Sequence, residues 1–389
     1  MSEAEPKSRG VFGRVVLALG FVVTAVVAVY ASQYGYVDRL RDRVWGRPAR
    51  LSAGDFPAGV AAPDDDVAAI PLRATVIGLV PRGSVAPLLW ATGDGERVGL
   101  FRAGYAMDVK VQLFDTEDAL RGAFVKGAEN GGVDLVAISV STLAMMAGPL
   151  RDAAPRTVLL LGRSRGQDVV VGLGGITHPG ALSTKRLGAE PRSSSHYLAL
   201  WAMSRAGLSL RDVTLVPLGS AFEAGAALRA KKVDAVAGYL GDLDPVRKEL
   251  GGAVIASTVD APHLIATVLV SRGDFAARYP DAIRRVIRGA LDANAQAAKD
   301  PSEAARALGA AAPQLGDPTE AMRSAPPASL KDNLGYFGLE GEAPVTYAES
   351  YQSAAALQVK LGVSPVTPPS AEDTADLGPL RYVASVKRP

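Results

Sequence analysis

Arg192-Ser193-Ser194-Ser195-His196-Tyr197 puts a guanidinium, three hydroxyls, an imidazole and a phenol into six residues. They run directly into Leu198-Ala199-Leu200-Trp201-Ala202-Met203, an apolar run of helical character. A helix start of this kind needs one serine as its N-cap. The others, with Arg192 and the exposed amides of a helix N-terminus, suit an anion or a strongly polar headgroup. Capping alone and ligand binding both stay open on these residues. Ser139, Ser141 and Thr142 form a similar hydroxyl group between a strand-like segment and the helix starting near Leu143.

Other chemistry has less support. Gly162-Arg163-Ser164-Arg165-Gly166 has the spacing of a hydrolase nucleophile elbow, which requires a helix next. Here Asp168-Val169-Val170-Val171-Gly172 follows, so a strand–turn–strand junction is the better reading. Gly172-Leu173-Gly174-Gly175 lacks the spacing and the following helix of a dinucleotide loop. The sequence has no cysteine and three histidines, His178, His196 and His263. That excludes disulfides, thiolate chemistry and Cys-zinc sites, and implies no metal or other cofactor. Forty-two Lys and Arg against 40 Asp and Glu give a net charge of +2, unlike a nucleic-acid binder.

The elements around these residues alternate. Short β-branched runs (74–80, 108–114, 133–139) are separated by stretches of helical period (86–100, 117–126), and 141–150 and 153–162 continue the series. This order implies βα units on mostly parallel sheets. Val133-Asp134-Leu135-Val136-Ala137 recurs as Val233-Asp234-Ala235-Val236-Ala237 in a similar context, which suggests two lobes of one build. A cleft between two such lobes is the natural ligand site. Residues 274–312 read as two amphipathic helices and Tyr347–Leu361 as another, all for packing.

Val15–Val37 is a stretch of 23 uncharged residues, long enough to span a membrane core as a helix. An uncleaved anchor is expected, with cleavage near Ala31 leaving a soluble exported protein as the alternative. The Pro-, Ala- and Asp-rich segment that follows reads as a tether.

Taken in order, VIGLVPRGSVAPLLWA, VDLVAISVSTL, RSSSHYLALWAMSRAGLSLRDVTLVPL, AALRAKKVDAVAGY and LVSRGDFAARYPDAIRRVI resemble the periplasmic solute-binding proteins of ABC importers for nitrate, taurine, aliphatic sulfonates and thiamine pyrimidine precursors. The resemblance covers about residues 72 to 365. It implies an α/β, two-lobed type II periplasmic-binding-protein fold, here with an N-terminal transmembrane helix. The implied organisation is a cytoplasmic segment 1–14, the anchor 15–37, a tether 38–71, lobe 1 from 72–167 and 265–389, and lobe 2 from 168–264. Chain crossings are expected near 168–172 and 264–271. Ser183–Glu190 departs from the family's usual approach to the serine loop, and the absent lipobox cysteine leaves tethering to the helix.

The ligand-binding residues expected are Arg82, Ser84, Trp90, Ser139, Ser141, Ser193, Ser194, Ser195, His196, Tyr239 and Asp242. Arg192 would attract an anion, whereas Asp242 and Asp244 with Tyr239 and Trp90 would suit a cationic heterocycle. The function implied is capture of a small polar or anionic solute and its delivery to an ABC permease and ATPase, in the periplasm and anchored to the inner membrane, with no nucleic-acid partner and no catalysis. A sensor or assembly protein on the same fold, or an enzyme resembling the pyrimidine synthases, are the alternatives.

Overall fold

A computed structural model describes residues 70–93, 97–363 and 368–386. The expected anchor and nearly all of the tether lie outside the described residues. Among the described residues no helix is long and apolar enough to cross a membrane.

Ten strands form two five-stranded sheets. The first holds β1 (Thr75–Leu79), β2 (Val109–Leu113), β3 (Leu135–Ser139), β4 (Arg156–Arg163) and β10 (Ala266–Ser271), in the order β2-β1-β3-β10-β4. The second holds β5 (Asp168–Gly172), β6 (Arg186–Ala189), β7 (Thr214–Pro217), β8 (Ala235–Tyr239) and β9 (Ala253–Ser257), in the order β7-β6-β8-β5-β9. Each sheet is parallel except for one strand, β10 in the first and β5 in the second, which pairs antiparallel on both sides. In each case the odd strand is the one arriving from the other lobe. Strands β3, β5, β8 and β10 read as near-continuous Val, Ile, Leu and Ala, as strands covered by helices on both faces must.

The repeated Val-Asp motif has a structural counterpart. It leads into β3 and β8, the middle strands of the two sheets. Asp134 takes two bonds from the Arg73 guanidinium, at 2.6 and 2.7 Å, and one from the Val76 amide. Asp234 does the same with Arg186, receiving its side chain and its backbone N–H. Each aspartate thereby pins its middle strand to the start of the parallel strand beside it, β1 in the first sheet and β6 in the second.

Several element bounds differ from the sequence expectation. The helical stretch 86–100 is broken: Ala86–Thr92 ends at Gly93, whose φ of 82° only glycine adopts without cost, and a new helix begins at Leu100. The region 274–312 forms three helices, Gly273–Arg278, Pro280–Lys299 and Ser302–Ala311, because Pro280 and Pro301 each interrupt the chain and restart it. Pro280–Lys299 buries Ile283, Val286, Ile287 and Leu291, and packs against Ala86–Thr92. Helix Tyr347–Leu361 contacts both Val140–Met145 of lobe 1 and Ser194–Arg205 of lobe 2.

The lobes are joined where β4 runs into β5 and β9 into β10. Ser164, the would-be nucleophile, sits at the first crossing with its hydroxyl 2.7 Å from that of Thr258 on the second. It also accepts from the Asp168 amide, while Thr258 accepts from the Gly166 amide. Strand–turn–strand geometry is thus what the motif forms, and the serine serves as a tie between the two crossing segments.

Asp134 is buried and Asp234 is one-third exposed. Removing a buried acceptor strands its donors at a cost of about 1–3 kcal/mol. Asp134→Ala should lower stability in chemical denaturation by that amount and Asp234→Ala by distinctly less; equal losses would contradict the assigned roles.

Candidate functional site

The strand ends that face the other lobe carry a buried polar cluster. The first turn after β1 contributes Arg82 and Ser84, and the segment after β2 contributes Glu117. The second lobe supplies Asp168 at the start of β5, Glu190 just past β6, Ser194 and Ser195 at a helix start, and Tyr239 at the end of β8. All of these are at most 4% exposed.

Arg82 donates to Glu117 Oε1 at 2.7 Å. Glu190 is gripped by two backbone amides, one from each lobe: Glu117 N at 2.7 Å to Oε1 and Ala221 N at 3.0 Å to Oε2. Each amide belongs to the first residue after a capping hydroxyl, Thr116 in one lobe and Ser220 in the other. Helix starts favour negative charge, so the carboxylate sits between two of them. Ser194 and Ser195 both donate to Asp168 Oδ1, at 2.7 and 3.0 Å. Four polar atoms in this region are buried without a hydrogen-bond partner: Arg82 Nε, Ser84 Oγ, Glu117 Oε2 and the Tyr239 hydroxyl.

Burial and neighbours set the protonation of these groups. Burial opposes the charge on Arg82, and Tyr239, Glu117 and Asp168 around it more than restore it, so its pKa is raised. Burial pushes Glu117 up despite Arg82. It likewise pushes Glu190 up, to about 7, helped by Glu117 and opposed by the two amides. Burial also raises Tyr239, which therefore keeps its proton.

The lobes touch directly at the rim. Arg192 reaches Asp118 at 2.6 Å, and the Ser220 hydroxyl donates to the Asp115 carbonyl across the cleft. Arg192 has a left-handed backbone, φ 65°, an arrangement that costs a residue of its kind on the order of 1 kcal/mol. That turn aims its amide at His196 Nδ1, 3.0 Å away. Burial first, then Arg192, lowers the His196 pKa to about 4, so the ring is neutral.

The expected site residues divide. Arg82, Ser84, Ser194, Ser195 and Tyr239 lie in or beside the cluster. Ser193 is the N-cap: it accepts from the His196 amide and donates to the Glu190 carbonyl. Ser139 and Ser141 form a closed hydroxyl group with Thr142, Ser139 capping its helix. Trp90 is covered by the Arg97 guanidinium, 5.1 Å from its ring. Asp242 packs beside Gly225 within lobe 2, and Asp244 is tied to Arg247 and Lys248.

Three carboxylates, Glu117, Asp168 and Glu190, were not among the residues expected. A signal for them exists in the strand register. Gly78 pairs with Gln112 and Val136, and Gly188 with Val216 and Val236, so β1–β2–β3 matches β6–β7–β8. Carried forward, this aligns Pro81-Arg82-Gly83-Ser84 with Pro191-Arg192-Ser193-Ser194, and Thr116-Glu117 with Ser220-Ala221. The two arginines diverge because Arg82 is extended, φ −159°, and points inward, whereas Arg192 is left-handed and points to the rim. Glycine replaces serine at position 83 because a Cβ there would lie 1.8 Å from the Ala321 carbonyl. Among the described residues no three His, Asp or Glu side chains gather in a way that could hold a metal ion.

The NMT1/THI5-like family model matches residues 165–304. Solved structures match over most of the described chain. The alkanesulfonate-binding protein SsuA from Xanthomonas axonopodis pv. citri, bound to MOPS, is 18% identical, with a TM-score of 0.60 over 77% of this chain and 97% of its own. The periplasmic nitrate-binding protein NrtA from Synechocystis PCC 6803 is 15% identical, with a TM-score of 0.62 over 80% and 88%. The desulfurization enzyme DSZB is 14% identical, with a TM-score of 0.54 over 80% and 99%. No curated protein sequence matches the chain significantly. The matches are of the type the sequence resembles, and they establish the two-lobed fold of periplasmic binding proteins.

Glu190 and His196 respond to pH in opposite senses. With its pKa raised from 4.5 to about 7, Glu190 contributes stability that is complete below 4.5 and is lost as pH rises through 7. With its pKa lowered from 6.5 to about 4, His196 contributes stability present above 6.5 and lost as pH falls through 4. Glu190→Gln removes the first contribution, so its melting temperature should climb more steeply from pH 5 to pH 7 than that of the unaltered protein. Parallel curves would refute the assignment.

Proposed function

We propose that this chain is a solute-binding protein that captures a small polar molecule between its two lobes and presents it to an ABC permease and its ATPase. The proposal includes a periplasmic location and attachment to the inner membrane through the Val15–Val37 segment. The observation that carries it is the set of unpartnered buried polar atoms where the lobes meet, on Arg82, Ser84, Glu117 and Tyr239. Buried polar groups are nearly always bonded, so their convergence where the two lobes meet favours a ligand as the missing partner. The two crossing segments act as the hinge: open lobes admit solute, and closure is stabilised by whatever affinity the solute has for the closed form beyond the open one.

Binding is preferred over catalysis because His196, the histidine of the serine helix, has Nδ1 taken by the Arg192 amide. A second reading, a sensor or assembly protein on the same fold, is favoured by the chain's own bonds across the cleft: Glu117 N to Glu190, Ser220 to Asp115 and Arg192 to Asp118. Small-angle scattering with and without solute separates the two, since capture requires a solute-dependent closure.

A thermal-shift screen of polar solutes on the full chain should find at least one that raises the melting temperature by mass action. The Ser194→Ala, Ser195→Ala double variant removes both donors to Asp168 and should weaken that solute by about 1–3 kcal/mol. Unchanged affinity with lowered stability would return the two serines to a purely structural role.

A further inference from the structure

In this cleft the main features that could attract an anion are engaged by the protein's own carboxylates, leaving only Arg82 Nε inside and Arg192 Nε at the rim among the buried guanidinium nitrogens of these two residues without a partner. The Arg82 guanidinium is paired with Glu117. The two opposed helix starts are filled by Glu190. The serine hydroxyls at the third helix start are turned to Asp168. One buried guanidinium therefore faces three buried carboxyl groups, two of which, Glu117 and Glu190, burial already pushes towards their neutral forms, and an anionic ligand would add negative charge to a space where like charges repel at low dielectric.

The unsatisfied atoms point the same way. Glu117 Oε2 is an acceptor with no donor, on a residue that is fully buried. The Tyr239 hydroxyl, on a residue 1% exposed, has no partner and lies within electrostatic reach of Arg82, Asp168, Glu117 and Glu190. Its ring is held by Phe222, 5.4 Å away between centroids, which fixes where the hydroxyl stands. Arg82 Nε is an unpartnered charged donor inside the cluster, as is Arg192 Nε at the rim.

Resting on the reading of solute capture, we propose that the cleft selects a compact cationic nitrogen compound whose N–H groups are accepted by Glu117 Oε2 and the Tyr239 hydroxyl, with a neutral acceptor on the same molecule meeting Arg82 Nε. The charge of the ligand offsets the carboxylate surplus, and its donors satisfy the orphaned acceptors. Arg82 in this arrangement holds Glu117 in position and does not serve as the ligand's counter-ion. The neighbouring binding proteins named for nitrate and alkanesulfonate would then share the fold and differ in the sign of their cargo.

The test uses the full chain and solute pairs matched in shape and opposite in charge: ethanolammonium against 2-hydroxyethanesulfonate, and benzamidinium against benzenesulfonate, by calorimetry at fixed ionic strength. Native mass spectrometry of protein purified from its own cells identifies any retained solute. The expected result is saturable binding of a cation, or a retained cationic nitrogen compound, and no saturable binding of the sulfonates. Glu117→Gln should weaken the cation at least tenfold. Because that change also disturbs Arg82, Tyr239→Phe, which keeps the ion pair, provides the second variant and should weaken it several-fold with the unliganded melting temperature nearly unchanged. A sulfonate or other anion bound or retained would overturn the cation proposal and leave solute capture standing. Neither pair binding, with no retained solute, would overturn both.

Discussion

A single carboxylate, that of Glu190, is held at once by the amide of Glu117 in one lobe and the amide of Ala221 in the other. Because each oxygen takes one amide, the two lobes can keep this arrangement only at one separation and one rotation. The rest of the cleft conforms to it. Glu117 offers its amide from a helix start capped by Thr116, while its side chain is paired with Arg82 from the extended turn after β1. Asp168, at the first residue of the strand that follows the first crossing, is oriented by two serines from a helix that begins four residues after Glu190. The serines, the arginine and the three carboxylates form one connected set, so none of them is expected to act independently of the others.

The fold was more legible than the site. Alternation of β-branched runs with helical period marked β1, β2 and β3, and the paired Val-Asp motifs marked β3 and β8 as counterparts. The helix Glu117–Lys126 and the helix Tyr347–Leu361 follow their apolar spacing to the residue. What local pattern missed were breaks set by single residues: Gly93 ends a helix that hydrophobic spacing would have continued, and Pro280 and Pro301 divide a long amphipathic region into three.

The site was harder to read because its polar residues lie far apart in sequence and look ordinary where they stand. Glu117 reads as an acidic residue in the first turn of a helix, Glu190 as part of a loop and Asp168 as the cap of a strand. Only folding brings them to one place. The serines were visible because they cluster locally, yet their hydroxyls are directed to Asp168 and their neighbours, and hydroxyl count alone could not tell that. Trp90 is a different case: a large aromatic after the first strand suggests stacking on a ligand, and in the fold its ring lies under the Arg97 guanidinium. The alignment of Pro81-Arg82 with Pro191-Arg192 carries the most information about the cleft, and it emerges only from strand register, since the surrounding residues have diverged.

The order of strands has a consequence for how the chain is made. β10 lies between β3 and β4 in the first sheet, yet it is synthesised after the whole of the second. Until residue 271 has emerged, the facing edges of β3 and β4 have no strand between them, and both are apolar. Unpaired apolar edges are where chains adhere to one another. At 5–20 residues per second, the roughly hundred residues from β4 to β10 occupy about 5–20 s of synthesis. The nascent protein therefore carries an open seam through its centre for that interval, and the last helices can settle only once it has closed.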